Sequence, residues 1–249
     1  MRVIIIAAGS ATRLGEITNK KPKGLLEING KSIIKRQIEL FKKNKIEEIV
    51  IITGPYKDFG FSDVVYVNDE NHEKHDVLGS LMAAKNMFNG KIITSYSDLV
   101  FEEKILQQLL NFNGDIGIPI DLDWEKNYAG RNLHPKSEAD NVLLKEKIIL
   151  KIKKNISKNK PNEVIGEFLG PMVFSEKGSK IFVDKYKNLE KINNKKFHDA
   201  PNLEKAYLTD MIQELIDDKI KIEPIFINGQ WCEIDTVEDI ERAEKLFSH

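Results

Sequence analysis

Residues 3–8, Val-Ile-Ile-Ile-Ala-Ala, form a short unbroken apolar run that stops at Gly9. A strand with one wet face alternates apolar and polar side chains. A continuous β-branched run of this length instead fits a strand covered on both faces, as in the middle of a parallel sheet. It is too short for a membrane span or for the apolar part of a leader.

The pattern then repeats. Ser32 is placed to cap a helix running to Phe41, with Ile33, Ile34, Ile38 and Phe41 on one face. Residues 49–52 supply a second buried strand and complete a βαβ unit. Further strands are expected at 64–67, 92–95 and 116–120, with helices at 80–87 and 102–110. This alternation predicts an α/β fold, a doubly wound and mostly parallel sheet. After residue 121 the rhythm changes to polar stretches at 121–140 and 151–162, followed by a helix at 203–215, a strand at 222–227 and a helix at 237–247. The expectation is one domain over 1–249, with a nucleotide-binding half to 120 and a substrate-binding extension beyond it. The lysine-rich run 151–160 reads as a solvated loop.

The charge balance argues against polyanion partners. With 38 basic and 39 acidic side chains the net charge is -1, so nucleic acid is not expected. Cys232 is the single cysteine, which excludes an intramolecular disulfide and fits a reducing cytoplasm. The five histidines show no ligand-like pairing, and His72 and His75 read as loop residues. Oligomeric state is left open, a homodimer included.

In an open parallel sheet, ligands gather beyond the carboxyl ends of the strands. There the chain places Ala7-Ala8-Gly9-Ser10-Ala11-Thr12-Arg13-Leu14, then Lys20-Lys21-Pro22-Lys23. Small residues let backbone N–H groups approach phosphate oxygens, while Arg13 offers a planar fork and Lys23 a point charge. A nucleoside triphosphate matches that arrangement. Two carboxylates, Asp98 after the 92–95 strand and Asp235 before the last helix, stand at element ends. Mg²⁺ takes one or two carboxylates together with substrate phosphates. An Asp before a helix is as readily a cap, although Thr236 can supply the cap instead.

These segments resemble the sugar-nucleotidyltransferase superfamily, whose pattern is a strand, A-G-x-G-x-R-L, then P-K, with a later W-x-x-I-D-T. The chain departs from it at Ala11 and at Ser97. The resemblance implies a Rossmann-like nucleotidyltransferase fold and makes Asp98 and Asp235 the metal pair. It puts Arg13 on the leaving β,γ-phosphates, Lys23 on the α-phosphate and the incoming oxygen, and the base over Ala7 to Gly9. The 69–80 loop, with Asp76 and Ser80, would lie beside it.

The segments 128–140, 166–170 and 206–217 are similar to the nucleotidyltransferases of phosphoenolpyruvate-mutase and phosphonate pathways, relatives of phosphocholine cytidylyltransferase. This implies CTP and a small phosphorylated amine or amino acid as substrates, with 2-aminoethylphosphonate, phosphocholine or a sugar 1-phosphate as alternatives. By the same resemblance Lys154 meets the acceptor phosphate. Glu167 is assigned to an ammonium and Arg131 to a carboxylate, since charge-assisted hydrogen bonds fix a small zwitterion. A non-catalytic nucleotide-binding subunit of the same fold is the alternative from another class.

Overall fold

The computed structural model describes residues 1–9, 21–192 and 195–248. Its first strand, β1 (Arg2–Ala7), is followed by the two-residue strands β2 (Glu27–Ile28) and β3 (Lys31–Ser32) and by helix α1 (Ile33–Lys43). Ser32 Oγ accepts the Lys35 N–H, the expected cap, and Ile33, Ile34, Ile38 and Phe41 are buried. Next come β4 (Glu48–Thr53), β5 (Val65–Asn68), α2 (Val77–Ala83), β6 (Ile92–Tyr96), β7 (Leu99–Phe101), α3 (Glu103–Leu110) and β8 (Ile116–Asp121).

The remaining elements are β9 (Asp140–Lys145), β10 (Ile148–Lys154), β11 (Glu163–Phe168), β12 (Val173–Phe174), α4 (Glu176–Ile192) and α5 (Leu208–Asp217). The chain ends with β13 (Glu223–Phe226), β14 (Trp231–Glu233) and α6 (Val237–Leu246).

The main sheet runs β10-β9-β11-β8-β12-β6-β1-β4-β5, and β13 joins β8. Strands β6, β1, β4 and β5 pair in parallel, as does β13 with β8. The antiparallel pairings of this sheet all involve β9 to β12. The expected α/β, mostly parallel sheet with an extension is therefore present, and its extension is an antiparallel flap continuous with it. Val3, Ile5, Ile49 and Ile51 pack against α1 on one face, while Ile4, Val50 and Ile52 pack with α2 on the other. This double cover explains the unbroken apolar runs.

One expectation is corrected. Part of the lysine-rich run is the edge strand β10, antiparallel to β9, and not a loop. Ile149 and Ile152 are buried while Lys151, Lys153 and Lys154 stay exposed. A register shift between Ile149 and Lys151 breaks the two-residue alternation.

Candidate active site

The site forms where β1 and β6 end. Strand β6 leads into Ser97 and Asp98, and the Ser97 N–H donates to the Ile6 carbonyl at 3.1 Å. Gln37, buried on α1, donates its amide to the Tyr96 and Leu99 carbonyls at 2.8 and 2.6 Å, clamping both sides of that turn. Strand β14 then pairs with β7, placing Glu233 opposite Leu99. One bond further, the Ile234 N–H donates to the Asp98 carbonyl at 3.0 Å. This small ladder brings the two distant aspartates together.

Lys23 stands between them. Its Nζ lies 2.7 Å from Asp98 Oδ2 and 2.5 Å from Asp235 Oδ1. The lysine sits on a single 3₁₀ turn opened by Pro22, and Gly24 follows it. A Cβ at Gly24 would lie 2.4 Å from the Ile34 side chain and 3.1 Å from Ser97 Cβ, so the glycine lets the turn sit close to the Asp98 turn. Burial opposes the lysine's charge, but Asp98, Asp235 and Glu233 outweigh it and raise its pKa above the usual lysine value. Lys23 is therefore a fixed cation and not a proton acceptor.

Two members of this cluster escaped the sequence reading. Glu233 lies two residues before Asp235, the spacing that puts strand side chains on one face. Burial, then the charges of Asp235 and Asp98, push its carboxyl well above the usual range. His134, only 4% exposed, points Nδ1 at Asp235 Oδ2 across 3.2 Å. The expectation of unpaired loop histidines thus fails at His134. Its ring and the carboxylates of Glu233 and Asp235 each offer a ligand atom within 4.8 Å of the others. Asp98 Oδ1 is buried without a hydrogen-bond partner.

These residues open onto a cleft of about 1370 Å³. Ile6, Ala7, Gly9, Asp76, Val77 and Tyr96 line its end nearest β1. Ala8 is buried beneath, and a Cβ on Gly54 would meet its carbonyl oxygen at 2.4 Å. Ser80 does not reach the cleft wall. Its hydroxyl donates to Asp69 Oδ2 at 2.9 Å, and His75 Nδ1 meets the same buried carboxylate, so Ser80 helps hold the 69–80 loop from behind. Ser10, Ala11, Thr12 and Arg13 lie outside the described residues.

The other end of the cleft is lined by β9 to β11 and α5, including Asp140, Lys151, Lys153, Lys154, Glu167 and Asp210. Glu167 is 3% exposed. The Tyr128 hydroxyl donates to its Oε1, whereas Oε2 is buried without a hydrogen-bond partner. Burial is the main cause that lifts the Glu167 carboxyl to about 8, and burial likewise lifts Asp140 to about 6. Lys154 meets Glu138 at 2.7 Å and Lys153 meets Asp199 at 2.9 Å, both half-exposed pairs. Such pairs contribute about 0–1 kcal/mol, so an incoming phosphate can replace the carboxylate partner.

Arg131 is placed differently from the sequence reading. It does not line the cleft, and the carboxylate it meets is the chain's own Asp239, 2.8 Å away, with the two side chains 3% and 0% exposed. A guanidinium so enclosed is not presented to a ligand.

Fold and site together define an enzyme of the nucleotidyltransferase type. Residues 3–124 match the family model described as the MobA-like NTP transferase domain. The chain is 27% identical to a CTP:phosphoglutamine cytidylyltransferase of Campylobacter jejuni, over 97% of its own length and 98% of that protein. It is 32% identical to a bifunctional protein GlmU of Methanococcus maripaludis over 99% of its length, but spans only 54% of that relative. Among solved structures, the inositol-1-phosphate CTP transferase from T. maritima superposes with a TM-score of 0.76 at 20% identity, covering 99% of this chain and 94% of that one. No described helix is long and apolar enough to cross a membrane.

Proposed function

We propose that the chain transfers CMP from CTP to a small phosphorylated acceptor bearing an amino group, releasing pyrophosphate, with phosphoglutamine the leading acceptor. The observation that carries this reading is a fixed lysine between two carboxylates at one end of a cleft whose other end joins a buried acid to half-exposed lysine ion pairs. The choice of CTP and phosphoglutamine is supported by the Campylobacter jejuni relative, which the chain matches along almost its whole length.

The reaction is an in-line displacement. An oxygen of the acceptor phosphate forms a bond to the α-phosphorus of CTP, and the bond from that phosphorus to the bridging oxygen breaks, so that pyrophosphate departs with the electron pair. Phosphate monoesters are ionised near neutral pH, so no side chain need remove a proton. Positioning and charge supply the acceleration. Lys23 is the cation for α-phosphate oxygens, held ready by Asp98 and Asp235, and Lys153 and Lys154 draw in the acceptor phosphate. Glu167 Oε2 is the acceptor for an ammonium.

The residues present suit a divalent cation. Three carboxylates, Asp98, Glu233 and Asp235, face one lysine, and Asp98 Oδ1 has no hydrogen-bond partner. Those three would offer oxygen ligands to Mg²⁺, with His134 orienting Asp235, and the cation when bound supplies neutralisation of phosphate charge and steadies the leaving group.

Pyrophosphate release, screened over the four ribonucleoside triphosphates and a panel of phosphorylated amines, amino acids and sugars, tests the reading. CTP with a phosphorylated amine or amino acid is expected to be the fastest pair. Preference for a hexose 1-phosphate would overturn the acceptor class, and no release with any pair would point to a non-catalytic nucleotide-binding subunit.

A further inference from the structure

Asp239 is fully buried and divides its carboxylate between two tasks. Oδ2 accepts the Asp235 N–H at 3.1 Å, the Thr236 N–H at 2.8 Å and the Thr236 hydroxyl at 2.9 Å. Oδ1 lies 2.8 Å from Arg131 Nη2, a buried ion pair without hydrogen-bond alignment. In a capping box the carboxylate at the third position of the helix accepts the N–H of the capping residue, here Thr236. Buried, the same carboxylate carries a heavy desolvation cost unless it is paired. The arginine meets that need and fixes where the cap, and therefore the 235–236 turn, can sit.

The arginine is itself held in place. Its guanidinium carbon lies 5.1 Å from the centre of the Tyr128 ring. That ring is also 5.9 Å from the His134 ring, and the Tyr128 hydroxyl is bound to Glu167. His134 in turn meets Asp235 Oδ2. Asp235 is thereby approached from two sides, along its backbone through Asp239 and at its carboxylate through His134, and both routes lead to Tyr128.

We propose that Arg131 is a positioning residue for the Asp235 carboxylate: its charge, enclosed beside Asp239, holds that carboxylate under the 235–236 turn so that one Asp235 oxygen meets Lys23 and the other meets His134. It touches no substrate and acts through Asp239. This inference rests on the metal-dependent transferase reading above. Partners that orient a metal carboxylate from behind govern its affinity, and their loss commonly costs about 10–100-fold in metal binding or activity.

The experiment measures Mn²⁺ binding to the full chain without substrates, by the loss of the free-ion signal in electron paramagnetic resonance, beside kcat and KM. Two variants are used. Arg131→Lys keeps the charge but not the planar guanidinium that stacks near Tyr128. Arg131→Gln combined with Asp239→Asn removes both charges while leaving amide groups able to cap the turn and meet each other. With the fold intact by circular dichroism, the double variant is expected to bind Mn²⁺ about 10–100-fold more weakly and to lose kcat more than acceptor KM, with Arg131→Lys in between. Wild-type Mn²⁺ affinity in a folded double variant would overturn the proposal. So would failure of both variants to fold, which would make Arg131 a requirement of the core alone. If wild-type protein neither binds Mn²⁺ nor releases pyrophosphate, the transferase reading fails and this inference with it; wild-type binding with unaffected variants removes only the role of Arg131.

Discussion

Lys23 spans the greatest sequence distance in the site through its pair with Asp235, and in the proposed reaction its ammonium meets the α-phosphate. Lys23→Ala should lower kcat by about 10²–10³, the usual cost of one electrostatic contact to the reacting phosphate. A surface salt bridge would contribute about 0–1 kcal/mol to stability and nothing to rate. Single-turnover kinetics at saturating nucleotide distinguish the two, and an unchanged rate would remove Lys23 from the chemistry. Glu167 gives a different signature. Its carboxyl is raised from 4.5 to about 8 in the folded chain, chiefly by burial. Between those values the folded state holds the proton more firmly than the unfolded state. Its contribution to stability is therefore complete below about 4.5 and is lost as pH climbs through about 8. Glu167→Gln should flatten this part of the stability profile, as measured by urea melts at pH 5, 6.5 and 8. An ammonium on the acceptor favours the ionised form, so acceptor binding at pH 7 should release a proton into the buffer. Calorimetry in buffers of unlike ionisation enthalpy reads it, and Glu167→Gln should abolish the release.

Elements decide how well these side chains are aimed. The carboxyl end of β4 presses on that of β1, where a Cβ at Gly54 would lie 2.4 Å from the Ala8 carbonyl oxygen. Backbone cannot yield as a side-chain tip can, so Gly54→Ala should cost about 1–3 kcal/mol in stability. It should also raise KM for the nucleotide, because Gly9 follows directly; a normal KM in a destabilised variant would separate the packing from the site. The strands β1, β4, β6 and β8 were legible in the sequence because burial on both faces writes itself as unbroken apolar runs. Strand β10 was not, since its exposed lysines and its register shift erase the alternation that Ile149 and Ile152 alone retain. Within the site, Lys23, Asp98 and Asp235 carried a recognisable local pattern. His134 and the Arg131–Asp239 pair did not, because nothing near them in sequence tells which distant carboxylate each will meet. Glu233 had a signal, its two-residue spacing from Asp235, which went unused.

At the scale of the molecule, one cleft joins the parallel strands to the antiparallel flap, so both substrates should couple to global stability. A ligand at 100 times its Kd stabilises the native state by about 2.7 kcal/mol. CTP with Mg²⁺ should therefore raise the melting temperature more than CTP alone, and Asp98→Asn should erase the difference; an equal rise with and without the cation would argue against the carboxylate cluster as its seat. Strand β8 takes β13 as its parallel neighbour, and β14 then delivers Asp235 to Lys23. On the ribosome, the nascent chain can thus form the β1 and β6 side of the cleft while the opposing carboxylate is still unmade and β8 still lacks β13. Until that stretch emerges, this exposed strand flank invites mispairing, and premature termination there would release a protein that is inactive and prone to aggregate at the same time.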